Sequence, residues 1–140
     1  GEYARFAGMW PEVWKLWEQG LQDRLEMSPH VRVEPGDELV ETRAELNELC
    51  RRRRILHLLY AGFAMNWCVL NREYGIRYLR LDGYNTVVVR EAVEGLEYPD
   101  TLRDRLATEL AIREVETQIG GFSCSLDDTL AALKGATAHA

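Results

Sequence analysis

Ile55 to Leu70, ILHLLYAGFAMNWCVL, is the stretch whose reading decides the fold. The largely apolar run Ile55 to Tyr60 predicts a buried strand. Ala61-Gly62 ends it, Phe63 to Trp67 turns, and Cys68 opens a helix. A thiol is thereby placed where a parallel strand hands over to a helix, the edge at which open α/β sheets put their chemistry.

Upstream of this stretch, Thr42 with Glu45 has the form of a capping box. It starts a helix with Leu46, Leu49 and Cys50 on its inner face, and Arg51 to Arg54 close that helix. Downstream, Leu70, Tyr74, Tyr78 and Leu81 form a helical stripe that Asp82-Gly83 terminates. Asn85 to Arg90, rich in valine, predicts a second buried parallel strand. A helix follows over 101–119 with Leu102, Leu106, Leu110, Val115 and Ile119 inward, and Gly120-Gly121 stops it. Phe122 to Cys124 is a short edge strand, Ser125 and Asp128 cap a last helix through Leu133, and 134–140 is a frayed tail.

At the N-terminal side, Pro11 begins a helix to about Leu25 whose Trp10, Val13, Trp14, Trp17 and Leu21 share one apolar face, read as core or subunit contact. The segment from Met27 to Val40 reads as a loop with extended pieces at 31–33 and 39–40. The alternation of helices and strands predicts one three-layer, doubly wound α/β domain over 1–140, its sheet mostly parallel. Residues 1–29 are its tryptophan-rich helical lead-in.

Composition narrows the function. With 140 residues and a hydrophobic fraction of 46% the chain can bury a core. A net charge of −6 argues against a general nucleic-acid binder, so the arginine run reads as a solvated helix end and an RNA or anion patch ranks well below. No apolar run nears the about 20 residues of a membrane span, and no signal-peptide pattern opens the chain. The three cysteines, Cys50, Cys68 and Cys124, lack metal-ligand or disulfide spacing. A cytoplasmic protein without membrane partner, metal or cofactor is expected.

The first turn of a helix favours thiolate over thiol, because unpaired N–H groups and the dipole face the sulfur. The turn before Cys68 also aims N–H groups where an oxyanion would develop. Among other candidates, His57 reads as a core imidazole, and His30 and His139 as surface residues. Glu91 reads as a helix-capping or loop-fixing group that could instead orient substrate. Asn66 reads as an anchor of the turn through its amide, Trp67 as a pocket wall, and Asp127-Asp128 as a cap.

The run from Leu58 to Ala92 resembles the signature of the isochorismatase-like cysteine hydrolases: Gly62, Asn66, Cys68-Val69, Gly83-Tyr84, Val87 to Val89 and Glu91-Ala92 match it in order. The resemblance covers 30–133. It implies Cys68 as nucleophile toward an acyl carbon, Ala64 and Cys68 as backbone oxyanion donors, a cis Phe63–Ala64 peptide bond, and C–N cleavage of a small amide through a thioester. A homo-oligomer is expected from the tryptophan face of the N-terminal helix alone. The family's acid–base Asp precedes the matched region, and Asp23 does not resemble it. Where the family has a Lys, this chain has Glu41 and Arg43, and its lysines are Lys15 and Lys134 alone. Arginine does not shuttle protons but can hold a carboxylate. A catalytically silent binding or scaffold module is therefore the alternative. Without the family's first strands the sheet is incomplete at its N-terminal side, leaving the Ile55 strand as an apolar edge. Either a longer polypeptide, another chain or the tryptophan helix would complete it, the first being preferred.

Overall fold

The computed structural model describes residues 32–137 together with Lys15, Gln19 and Gly20. The tryptophan helix, Asp23, His30 and His139 lie outside the described residues. The chain divides into two units, 1–38 and 39–140. In the first, Pro35 and Gly36 make a tight turn that Asp37 closes, its N–H on the Glu34 carbonyl at 3.0 Å and its carboxylate on the Glu34 N–H at 2.8 Å. Gly36 at φ 105° supplies the left-handed conformation the turn requires.

The second unit is an α/β fold built on an open sheet of three parallel strands in the order β1-β2-β3. Helix α1 is Arg43–Arg53, with the Thr42–Glu45 capping box formed and Arg51, Arg52 and Arg53 in its last turn. Strand β1 is His57–Phe63, α2 is Ile76–Leu81, and β2 is Asn85–Glu94. Helix α3 is Leu106–Glu114, continued by a π-helical turn over Val115–Ile119, then β3 is Phe122–Cys124 and α4 is Leu126–Thr137. Residues of α2 and α3 meet in one core against β2. The core there is Met65, Leu70, Ile76, Val88, Val93, Ala111, Ile112 and Val115.

Several boundaries differ from the sequence reading. The first strand starts at His57 and runs through Gly62 to Phe63, because Arg54 turns left-handed (φ 57°) and spends Ile55 and Leu56 on the exit from α1. His57 is consequently exposed, its ring nitrogen against the Asn85 amide at 3.3 Å, and is not a core imidazole. The stripe Leu70, Tyr74, Tyr78, Leu81 is not continuous. The chain leaves the helix after Asn71 and re-enters at Ile76, which changes the phase and buries Ile76 and Leu79 while Tyr78 and Leu81 are exposed. Gly83 does end α2, in a Schellman arrangement in which Gly83 N–H and Tyr84 N–H bind the Arg80 and Leu79 carbonyls at 3.1 Å each.

The expected helix over 101–119 is also broken. Leu102–Asp104 is a 3₁₀ turn, Arg105 sits left-handed at φ 51°, and α3 begins only at Leu106. Leu102, Leu106 and Leu110 are exposed, and the inward face is Thr108, Ala111, Ile112 and Val115. The last helix runs past Leu133 to Thr137, through positions where a frayed tail is expected. On the other side of β1 no strand pairs among the described residues, and Leu59 is exposed there.

Helix α3 takes its N-terminal cap from the loop before it. Glu97 accepts the N–H groups of Ala107 at 3.0 Å and Thr108 at 2.8 Å and the Thr108 hydroxyl at 2.7 Å. Desolvation pushes the Glu97 carboxyl up, but hydrogen bonds from Thr108, Thr101 and Ala107 outweigh it and hold it at about 2. Asp82, gripped by Arg43 and by the Asn47 amide at 2.9 Å, is likewise held at about 2. Both folded-state values lie below the ordinary carboxylate range, so protons bind the unfolded chain first as pH falls. The stabilisation is complete above that range and is lost as pH drops through it toward 2. Urea midpoints should therefore fall on acidification across this window, and Glu97→Gln should flatten the fall. An unchanged pH profile in Glu97→Gln would remove Glu97 from this account.

Candidate active site

The thiol is positioned by the chain leaving β1. Gly62 at φ 117° has no atom within 4 Å of where a Cβ would sit, so glycine serves the left-handed backbone there and not a close contact. The next peptide bond, Phe63–Ala64, is cis, as the resemblance implies. Ala64 is extended and buried, and Met65–Val69 forms a π-helical turn over it. Cys68 is therefore the fourth residue of that turn and not the first residue of a helix. Met65, fully buried, pins the turn to the core. The amides on either side of Cys68 both reach back to the Ala64 carbonyl, Trp67 N–H at 3.0 Å and Val69 N–H at 3.1 Å. The turn thus sets Ala64 buried at its base and Cys68 exposed on its surface.

Asn66 ties this turn to the loop after β2. Its Nδ2 donates to the Leu96 carbonyl at 3.2 Å and its Oδ1 accepts the Leu96 N–H at 2.8 Å, as a neighbouring strand would. The Asn66 carbonyl in turn accepts from Asn71 Nδ2 at 3.3 Å, and Asn71 Oδ1 accepts from Arg77 Nε at 2.9 Å. Arg77 is paired with Glu114 of α3. The anchoring role expected of Asn66 is present. Its partner Leu96 carries no sequence signal, since the contact is made through backbone.

Of the three cysteines, Cys50 is buried, Cys124 half-buried and Cys68 exposed. Burial pushes the Cys50 thiol up against a hydrogen bond with Tyr84, and Cys124 Sγ lies 3.1 Å from the Thr129 hydroxyl. Cys68 borders two cavities. One, of about 360 Å³, is lined by Asn66, Trp67, Cys68, Asn71 and Arg72, so Trp67 is a wall of it as expected. The other, of about 240 Å³, is lined by Tyr60, Ala61, Phe63, Cys68, Val69, Tyr74 and Gly75.

Other candidates are occupied elsewhere. Glu91 accepts the Leu126 N–H at 2.7 Å, which lowers its carboxyl and makes it the cap of α4. Ser125 and Asp128 complete that cap, the Asp128 N–H on the Ser125 hydroxyl at 3.0 Å. Arg43 does hold a carboxylate, that of Asp82, beneath the Tyr78 ring contact at 5.3 Å. Among the described residues no three His, Cys, Asp or Glu side chains converge as a metal site would need, and no helix is long and apolar enough to cross a membrane. No family model, curated protein or solved structure matches this chain.

Proposed function

We propose that this chain is a cysteine hydrolase that cleaves a C–N bond of a small amide at Cys68, in the manner of the isochorismatase-like enzymes it resembles. The observation that carries the reading is the placement of Cys68. It is the exposed cysteine of the three, stands at the C-terminal end of a parallel strand, and borders two cavities. A surface position between two cavities gives a small substrate room to present its carbonyl to the sulfur.

The chemistry balances without a further reactant. Sγ bonds to the acyl carbon, the C–N bond breaks, and the thiol proton leaves on the departing amine. Water then adds to the thioester, the C–S bond breaks and the thiol is restored as the acid departs. The Ala64 and Cys68 N–H groups are the proposed donors to the oxygen that gathers charge in both steps. Among the described residues Cys68 Sγ has no hydrogen-bond partner, so a proton-carrying Asp or Lys is not assigned.

A second reading, a catalytically silent binding or oligomeric module, draws on that missing partner and on the exposed leucines of α3. One experiment separates the two. Incubated with a panel of small carboxamides, the hydrolase should release ammonia and carry an acyl mass on the Cys68 peptide, both lost in Cys68→Ala. If neither ammonia above blank nor an adduct arises across the panel, the silent module is the better description.

A further inference from the structure

The two cavities that meet at Cys68 differ in chemistry. The smaller presents the rings of Tyr60, Phe63 and Tyr74. The larger presents Asn66, Asn71 and Arg72 beside Trp67. Both amides in it are already committed, Asn66 to Leu96 and Asn71 to the Asn66 carbonyl and Arg77. Arg72 is not committed. Arg43, Arg51, Arg77 and Arg105 each hold a carboxylate, and Arg80 and Arg90 each hold an oxygen of the chain. The Arg72 guanidinium, like those of Arg32, Arg52, Arg54, Arg103 and Arg113, has no such partner among the described residues, and of these six it alone lines a cavity at Cys68. Its backbone N–H donates to the Cys68 carbonyl at 3.1 Å, and both residues line the larger cavity.

We infer that Arg72 sets the substrate class: the amide cleaved at Cys68 bears a carboxylate, held by Arg72 in the larger cavity, while its apolar remainder lies against Tyr60, Phe63 and Tyr74. A guanidinium is suited to this because its planar fork meets a carboxylate with two parallel hydrogen bonds. The chain as a whole carries a net charge of −6, so any preference for anions at this point is local to the arginine. The inference rests on Cys68 being the reacting atom, and its test does not require turnover.

Iodoacetate and iodoacetamide provide that test. With either, Sγ bonds to the methylene carbon as the C–I bond breaks and iodide leaves with the bonding pair; the reagents differ only in carboxylate against carboxamide. At Cys68 the ratio of iodoacetate to iodoacetamide rates should be about fivefold higher in the native chain than in Arg72→Gln, the size expected for a charge-assisted contact at a solvent-accessible site. Arg72→Lys should retain part of the preference, and added salt should diminish it. The ratio at Cys124 should be the same in all three chains. Equal ratios at Cys68 in native chain and Arg72→Gln would overturn the assignment. Failure of the amide panel with the ratio intact would instead count against hydrolysis while leaving the anion site standing.

Discussion

Gly75→Ala should destabilise the fold by about 3 kcal/mol, at the upper end of overpacking costs, read as a lowered urea midpoint. Gly75 stands between the Cys68 turn and α2 at φ −82°, an angle any residue adopts, so its glycine is not there for conformational freedom. The reason is space. A Cβ would lie 2.8 Å from the Val69 carbonyl oxygen and 2.9 Å from those of Leu70 and Arg72. All three are backbone atoms, so no rotamer change relieves them and the chain itself must move. The Gly75 N–H is bonded to the Arg72 oxygen at 2.7 Å, and Ile76 and Leu79, both fully buried, follow directly. Displacing α2 outward would strip these side chains from the core and shift the wall of the smaller cavity. Labelling of Cys68 should change with stability, because Val69 and Cys68 belong to the turn being pushed. A variant within about 0.5 kcal/mol of the native chain, the range of neutral surface changes, would mean that the crossing relaxes freely.

The same residue shows where sequence reasoning stops. Elements specified by neighbours in sequence were legible: the Thr42–Glu45 box, the Ser125–Asp128 cap, Gly83 as a helix end, and the valines of β2. Each needs only residues within a few positions of one another. The interruption before Ile76 was not legible, since Gly75 is required by carbonyls that only the folded turn brings close. Nor was the inward face of α3. Leu102, Leu106 and Leu110 are the stronger hydrophobes, yet Arg105 in left-handed conformation breaks their periodicity, and Glu97 fixes the helix start from outside it. Thr108, a polar residue, is buried there because Glu97 and the Gly95 N–H at 2.8 Å satisfy its hydroxyl.

At the candidate site, Asn66 as an anchor and Trp67 as a cavity wall were legible because both lie in the turn next to Cys68. Arg72 carries no signal in the sequence, since a lone arginine in the break before α2 has no distinguishing pattern. Its interest arises from the cavity it shares with the thiol, since of the arginines without a side-chain partner among the described residues it alone borders Cys68.

Asn66→Ala should cost about 2 kcal/mol, because it removes both hydrogen bonds to Leu96 at once and leaves a half-buried N–H and carbonyl of the β2–α3 loop to find other partners. Asn66→Asp separates the two halves of the clip. Aspartate keeps the acceptor for the Leu96 N–H but sets a second oxygen against the Leu96 carbonyl, so it should fall no closer to the native chain than alanine does. The loss should be concentrated locally, since Met65 still holds the turn to the core from below and Arg77 still pairs with Glu114. Amide exchange should report this: about 2 kcal/mol corresponds to roughly thirtyfold faster opening at Leu96, with β2 residues such as Val88 following only the global change. Uniform acceleration across the sheet would instead mean that Asn66 acts on the whole fold. An exchange rate at Leu96 equal to that of the native chain would reduce the clip to a solvated contact and leave the Cys68 turn fixed by Met65 and the Ala64 carbonyl alone.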